Sequence, residues 1–465
     1  MLKILADGAV QDCPVPDMPQ GDARHAYPVY HKDLPSGLLV VNSFTDEVCV
    51  VDRTELDAVG RDAVLSRLAD GPRPEVLIRD AARQAERVKA SLPFEIAFCP
   101  TYSCNLRCTY CFQQADPQLD KRVVGAENLA KFLAHVDAQA TRARAADPKR
   151  PVVLQLFGGE PFTPATKPVI EEVFAFCRSR KIHIAATTNA TGLEDFMDVL
   201  LPYHGYIAKL GITIDGVGSF HDSRRKRLDG KGTFDKIVRN VNILLRAGIK
   251  VMTSLTLDRS SIDQAPSFFK FAREQGWIDN PGIELSVARV DDRKFETGYA
   301  AVMSESELLK ELLDLDAREP LPRNVRFAFL KTSFDLAKRF RVTFNQNEIG
   351  RERFRYCWAS SSINDIVYVD SALDVYRCTY TPGDKRYKVG SLDDGFDLDA
   401  WHAHGTWGRK ECGECPIGGY CAGGCRLSTQ ADFQRNCADE KRNFENLIES
   451  IVAPRLNEVA RGKRQ

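Results

Sequence analysis

Three cysteines on one short loop, Cys104-Asn-Leu-Arg-Cys108-Thr-Tyr-Cys111-Phe112, constrain this chain more than any other feature. They are spaced C-x3-C-x2-C and follow the apolar run Glu95–Cys99, which reads as a strand. Three thiolates converging from one loop can hold three irons of a cubane cluster, since Fe–S clusters are normally bound by cysteine thiolates. The fourth iron then lacks a protein ligand and is free for a substrate or cofactor. A zinc site would call for a fourth ligand close by, usually from paired C-x2-C units. Three unrelated buried cysteines is the remaining reading, and number and spacing weigh against it.

Of the 14 cysteines, ten fall into three tight groups. A disulfide framework belongs to short secreted chains, so these groups read as metal ligands in a reducing compartment. The other four, Cys13, Cys49, Cys99 and Cys177, stand singly and are expected as small buried hydrophobes. The 465 residues suffice for two or three domains. Lys+Arg and Asp+Glu balance at 64 each, which leaves no global field for nucleic acid or an anionic membrane. No apolar stretch is long enough to span a bilayer, and Met1-Leu-Lys-Ile-Leu-Ala-Asp lacks the apolar core of a signal peptide. A cytoplasmic protein without membrane or nucleic-acid partners is expected.

Residues 1–92 read as a small α+β unit. Gly37–Phe44 and Glu47–Asp52 predict a hairpin, and Glu55–Ala69 and Glu75–Ser91 predict helices punctuated by Gly71-Pro72. Residues 93–290 alternate strands with helices. The strands are Glu95–Cys99, Val152–Phe157, Ile182–Thr187, Ala208–Ile214, Val251–Leu257 and Ile283–Val287. The helices between them include Ala126–Ala140, Lys167–Arg180, Phe234–Ala247 and Gln264–Gln275. Such repetition predicts a parallel sheet whose ligands collect at the C-terminal strand ends. Residues 291–350 read as a charged helical bridge, 351–445 as a cysteine-rich domain, and 446–465 as a C-terminal helix or tail.

The cysteine loop, with Tyr110 beside its last cysteine, resembles the cluster motif of radical S-adenosylmethionine (radical SAM) enzymes. Phe157-Gly158-Gly159-Glu160-Pro161-Phe162 resembles the family's GGEP element, whose glycines allow close backbone approach and which binds the SAM amino group. Thr187-Thr188-Asn189-Ala-Thr191-Gly192 is similar to the family's TNG segment, with Ala190 in place of glycine, and places Asn189 near SAM or as a capping residue. Asp215-Gly216, His221-Asp222-x-x-Arg225 and Gly232-Thr233-Phe234 follow as in SPASM-type members. The run Arg224, Arg225, Lys226, Arg227 is expected as a solvated face, with contact to SAM or substrate carboxylates as the alternative. The resemblance implies a partial (β/α)6 barrel, SAM chelated to the open iron, and its one-electron cleavage to a 5′-deoxyadenosyl radical. Tyr110, Gly158, Gly159, Glu160, Pro161, Asn189 and Asp215 are the cofactor-binding candidates. No catalytic residue is assigned, Asp215 being the candidate considered.

Cys357, Cys378, Cys412, Cys415, Cys421, Cys425 and Cys437 resemble the seven-cysteine SPASM domain, with Leu373 at its usual glycine, which puts that turn's geometry in question. By that resemblance Cys412, Cys415, Cys421 and Cys437 hold one auxiliary [4Fe–4S] cluster. Cys357, Cys378 and Cys425 hold another with an iron not ligated by cysteine, and zinc is the alternative for either group. Together with the SAM-binding cluster this makes three. The expected function is oxidative modification or cross-linking of a ribosomally made peptide. Residues 1–92 are similar to winged-helix modules that bind leader peptides, with a structural cap as the equal alternative, and a flavodoxin or ferredoxin is the expected electron donor. An anaerobic sulfatase-maturing enzyme is the alternative, against which stand Thr379, where those enzymes carry Asp, and Arg351, where they carry a further cysteine. An electron-transfer or peptide-binding protein without SAM chemistry is the alternative of another class.

Overall fold

The computed structural model describes every residue except 6–8, 14, 17–23, 112, 114–118, 291–298, 333, 341–351, 364–365, 428–432 and 463–465. Phe112, Arg351 and residues 291–298, 333 and 341–350 of the expected 291–350 bridge lie outside the described residues.

All six expected barrel strands form: β1 (Phe94–Phe98), β2 (Val152–Leu156), β3 (His183–Thr188), β4 (Ile207–Thr213), β5 (Val251–Leu257) and β6 (Ile283–Arg289). They are hydrogen-bonded in that order and parallel throughout. A short β7 (Val325–Phe327) inside the expected helical bridge extends the row beyond β6. Its three residues are too few to show a period against the charged sequence around them. Each strand turns an apolar, buried face to the helices; in β5 Val251, Thr253, Leu255 and Leu257 are buried while Met252, Ser254 and Thr256 on the other face are half-buried. Helices α1 (Ala126–Ala146), α2 (Lys167–Ser179), α3 (Phe234–Arg246) and α4 (Gln264–Glu274) supply that cover. In α1 the buried Leu129, Phe132, Leu133, Val136, Ala140 and Ala143 recur at helical spacing on one face. Phe132 stacks on Phe98 of β1 with ring centroids 4.0 Å apart. Each such ring contributes about 1.5–3 kcal/mol by leaving water.

The cysteine-rich region does not stand apart from this sheet. Strand β8 (Tyr368–Val369) pairs in parallel with β1, Tyr368 opposite Ala97 and Val369 opposite Phe98. Antiparallel β9 (Asp374–Tyr376), β10 (Lys388–Ser391) and β11 (Gly395–Phe396) follow, completing an eleven-stranded sheet. The turn between β8 and β9 answers the question posed by Leu373. Its φ is +67°, the left-handed conformation that glycine would supply, at a cost of about 1–2 kcal/mol for an L-residue. Asp370 fixes the turn by accepting from Ala372 N and Asp374 N, each at 3.0 Å. The Leu373 side chain is 1% exposed, so its burial offsets the strain. Ala190, the other replaced glycine, likewise has φ +59° and is fully buried.

In the N-terminal unit the expected hairpin forms between Gly37–Asn42 and Glu47–Asp52. It lies inside a five-stranded antiparallel sheet, flanked by Leu2–Ile4 on one side and Tyr30–Leu34 on the other, with Val10–Asp12 beyond Leu2–Ile4. The expected helix Glu55–Ala69 divides into Arg53–Val59 and Arg61–Ala69, because Gly60 at φ +87° breaks the run. The unit docks on the cysteine-rich region. Ser43 Oγ donates to Pro416 O (2.9 Å) and accepts from Gly419 N (3.0 Å), while Tyr420 OH donates to Asp46 Oδ1 (2.6 Å). A β-carbon on Gly419 would stand 2.0 Å from Ser43 O, so only glycine permits that approach. A helical run of Phe433–Leu447, Ile448–Val452 and Ala453–Gly462 spans the expected boundary at 446. Among the described residues no helix is long and apolar enough to cross a membrane.

The two left-handed residues make a paired prediction. Leu373→Gly relieves strain but empties a buried site worth about 1.5–3 kcal/mol, so the loaded protein should be destabilised by about 1 kcal/mol or more in urea unfolding. Ala190→Gly deletes one methyl and relieves the same strain, and should stay within about 1 kcal/mol of the parent.

Candidate active site

The loop leaving β1 carries Cys104, Cys108 and Cys111, all half-buried. Leu106–Cys108 forms a short antiparallel pair with Arg225–Arg227, and Thr109 N donates to Arg224 O at 2.9 Å. These bonds fix a loop whose sequence has little apolar anchorage beyond Leu106. Burial pushes the Cys104 thiol up to about 12, with Glu160, Cys108 and Cys111 adding to the rise. The Cys108 thiol is also raised by burial, while Arg225 opposes the shift and Cys111 adds to it. The three sulfurs are therefore electrostatic neighbours. Among the described residues no group of three or more His, Cys, Asp or Glu is disposed to hold a single metal ion.

The glycine pair after β2 lies against this loop. Gly159 N donates to Thr101 O (3.1 Å) and Glu160 N to Ser103 O (2.9 Å). A β-carbon at Gly159 would stand 2.2 Å from Ser103 O and 2.5 Å from Tyr102 O; at Gly158, 2.5 Å from Cys99 Sγ. Glu160 is 1% exposed, and burial raises its carboxyl to about 7. It accepts from Thr188 Oγ1 (2.6 Å), Phe162 N (3.0 Å) and Asn189 N (2.7 Å). Three donors against about four lone-pair sites leave one acceptor position for an ammonium. Pro161 contributes its carbonyl, which accepts from Thr166 Oγ1 at 2.6 Å and turns the chain into α2. Asn189, at the end of β3, donates from Nδ2 to Asn105 Oδ1 (2.8 Å) and approaches Cys104 Sγ at 3.7 Å. Asn105 in turn donates to Thr191 Oγ1 at 2.9 Å. Asn105 escaped the sequence reading, although its place between the first two cysteines marks it.

The expected solvated basic run needs correction. Arg224 and Arg225 are 5% and 8% exposed, and only Lys226 of the run is fully exposed. Pairing with Leu106–Cys108 turns Arg225 inward, where Nη1 donates to Tyr110 OH at 2.8 Å. Tyr110 OH donates to Asp215 Oδ2 at 2.5 Å. Arg224 reaches Asp258 at 2.8 Å and Asp215 at 3.5 Å, with its guanidinium 5.0 Å from the Tyr110 ring centroid. Burial raises the Asp215 carboxyl while Arg225 and Arg224 pull it back. Asp215 has no exposed surface, and its Oδ2 anchors the loop through Tyr110 and Arg224, while Oδ1 accepts no hydrogen bond. His221 Nδ1 accepts from Asp215 N (3.2 Å), so its proton sits on Nε2, 3.1 Å from Thr233 Oγ1. Burial lowers His221 to about 3 and keeps it neutral. Asp222 Oδ1 accepts from Thr233 N (2.6 Å) and Phe234 N (2.9 Å) and caps α3, since Thr233 at the N-cap position makes no side-chain cap bond. A β-carbon on Gly232 would meet Asp222 Oδ2 at 2.3 Å.

In the cysteine-rich region the seven thiols fall into two neighbourhoods. Burial raises Cys378, and Cys357 and Cys425 add to it. Burial raises Cys412 to about 11, helped by Cys437 and Cys415, and raises Cys421 further beside Glu440, Cys412, Cys415 and Cys437. A cavity of about 290 Å³ opens among Cys412, Cys415, Cys421, Cys437 and Cys425, a space with the donor chemistry of an Fe–S cluster. Of the four lone cysteines, Cys49, Cys99 and Cys177 are buried as expected, whereas Cys13 is half-buried.

Gly159→Ala must displace the backbone ahead of Cys104, so we expect it to lower iron content by about one cluster per chain. Gly125→Ala, at a position open within 4 Å, should leave the iron content unchanged. Iron assay of both variants after anaerobic reconstitution checks this.

Residues 98–272 match the Radical SAM superfamily. Over 370 residues the chain is 22% identical to a cysteine-type anaerobic sulfatase-maturating enzyme of Clostridium novyi, covering 75% of this chain and 94% of that protein. It is 27% identical over 178 residues to a serine-type anaerobic sulfatase-maturating enzyme of Bacteroides thetaiotaomicron, covering 37% of this chain and 41% of that one. Over 200 residues it is 24% identical to the antilisterial bacteriocin subtilosin biosynthesis protein AlbA of Bacillus subtilis, covering 41% of each. Among solved structures, anSMEcpe with bound AdoMet and a Cp18Cys peptide superposes with a TM-score of 0.55 at 20% identity, covering 80% of this chain and 99% of that one. Streptococcus suis SuiB bound to its precursor peptide SuiA superposes with a TM-score of 0.51 at 16% identity, covering 87% and 96%. These likenesses show the fold, and the superfamily match falls on the strands and loops that bring Cys104, Cys108 and Cys111 beside Gly158, Gly159 and Asn189. The chain is an enzyme that carries a radical SAM domain over residues 98–272, and that superfamily implies SAM and a [4Fe–4S] cluster as cofactors.

Proposed function

We propose that this enzyme is a peptide maturase, oxidatively modifying or cross-linking a side chain of a ribosomally made peptide. The observation that carries this reading is the pairing of β8 with β1. That pairing joins the SAM-site loop and the cysteine-rich unit into one sheet, and Tyr102 OH, two residues before Cys104, donates to Asp370 Oδ2 at 3.0 Å across the junction. A bound substrate would meet both the radical source and an auxiliary centre on one rigid frame.

When bound, SAM and its cluster supply a 5′-deoxyadenosyl radical that abstracts hydrogen from the substrate. Cys104, Cys108 and Cys111 would hold that cluster. Glu160 and the Gly158-Gly159 backbone would hold the SAM amino end, with Asn189 and Tyr110 lining the site. Cys412, Cys415, Cys421 and Cys437 would hold one auxiliary cluster. Cys357, Cys378 and Cys425 would hold the other, with one iron open to a substrate donor. The peptide-bound anSMEcpe and SuiB structures support a peptide partner, and a flavodoxin or ferredoxin would deliver electrons. In the N-terminal unit the hairpin's own edges are occupied, which leaves Val10–Asp12 and Tyr30–Leu34 as the sheet's edges for an incoming leader segment.

The two sulfatase-maturating relatives favour a second reading, oxidation of Cys or Ser to formylglycine. Against it stands Thr379, engaged with buried Tyr368, where that chemistry would want a carboxylate. A hydrazide probe separates the two. Formylglycine captures it, whereas a cross-linked maturase product does not, and hydrazide capture from a sulfatase-type peptide would replace the first reading with the second.

The reconstituted protein should carry about twelve irons, four per cluster. Changing Cys104, Cys108 and Cys111 together to Ala should remove about a third of them and abolish 5′-deoxyadenosine formation in the presence of dithionite. Persistent 5′-deoxyadenosine from that variant would mean the SAM site lies elsewhere.

A further inference from the structure

The pair Arg224 and Arg225 divides its labour. Arg224 faces carboxylates, Asp258 at 2.8 Å and Asp215 at 3.5 Å. Arg225 instead donates to a phenol, Tyr110 OH, at 2.8 Å, whose own proton is given to Asp215 Oδ2 at 2.5 Å. The strand pairing sets Arg225 directly opposite Cys108, a register that holds facing Cα atoms about 4.5–5.5 Å apart. A guanidinium never loses its charge in a protein, and at 8% exposure solvent ions screen it little.

We propose that Arg225 sets the reduction potential of the cluster held by Cys104, Cys108 and Cys111, by fixing a permanent cation beside the Cys108 sulfur. The proposal rests on the assignment of that cluster to those three thiols. Reduction adds one electron from the donor and forms or breaks no bond, so the reduced cluster carries one more negative charge. A cation held nearby therefore stabilises the reduced form more than the oxidised one. Asp215, across the Tyr110 hydroxyl, puts a carboxylate on the far side of the same phenol and moderates the effect. Arg225 is a positioning and tuning residue here; it need not touch substrate or SAM.

An EPR-monitored redox titration of the reconstituted full-length protein without SAM tests this. The relevant signal is the one that the Cys104/Cys108/Cys111→Ala variant lacks. Arg225→Met should shift the redox equilibrium at least tenfold toward the oxidised cluster, about 59 mV for a one-electron couple. Arg225→Lys keeps the charge but not the fork of donors, and should shift the equilibrium less than threefold. Arg107→Gln removes an exposed cation one residue from Cys108 and should shift it less than twofold. Asp215→Asn should shift it toward the reduced cluster. An unshifted potential in Arg225→Met, or an equal shift in Arg225→Lys, overturns the proposal. Should Arg225→Met fail to fold, Asp215→Asn decides: a shift toward the oxidised form, or none, overturns it. A triple cysteine variant that keeps every signal would instead refute the cluster assignment, which is a separate result.

Discussion

The whole site depends on one close approach of backbone to backbone. Gly158 and Gly159 lie so near the Cys99–Ser103 segment that no side chain fits between them. The hydrogen bonds from Gly159 N and Glu160 N lock the loop that leads into Cys104. Glu160 then reaches β3 through Thr188 and Asn189, and Asn189 returns to Asn105 inside the cysteine loop. Three strand ends are thereby tied into one ring of short contacts. A cluster site needs such a frame, because thiolates brought close without a metal repel one another and prefer to stay protonated.

The opposite side of the loop is held by charge. Leu106–Cys108 has one partner strand, and that strand brings two arginines into the interior. Buried guanidiniums are tolerable only with partners, and Tyr110, Asp215 and Asp258 provide them. The same network ties down the chain after β4, through His221 and Asp222, to the start of α3. What the sequence presents as a string of short motifs is one hydrogen-bonded structure around the cysteine loop.

Much of this was legible beforehand. The six barrel strands and four helices follow from pattern, because the strands are short apolar runs and each helix buries one face. The cysteine groups were legible because no packing requirement repeats thiols at such spacings. Other features were hidden for identifiable reasons. The addition of β8 to β1 involves two residues per strand and a long sequence separation, which no local pattern reports. The inward turn of Arg224 and Arg225 depends on a three-residue strand pairing, and charge runs on their own read as solvated. Leu373 and Ala190 adopt the conformation of the glycines they replace, so composition raised a doubt that the backbone answers. The division of the first N-terminal helix followed from Gly60, which lies within an otherwise unbroken helical pattern.

The central claim is that the cluster on Cys104, Cys108 and Cys111 leaves one iron open to SAM. Electron–nuclear double resonance of the reduced protein with SAM labelled with nitrogen-15 at its amino group addresses it most directly. The account predicts a resolved nitrogen-15 coupling to that cluster, lost together with the cluster signal in the triple cysteine variant. A protein that forms 5′-deoxyadenosine while showing no such coupling, or one whose coupling survives the triple substitution, would contradict it.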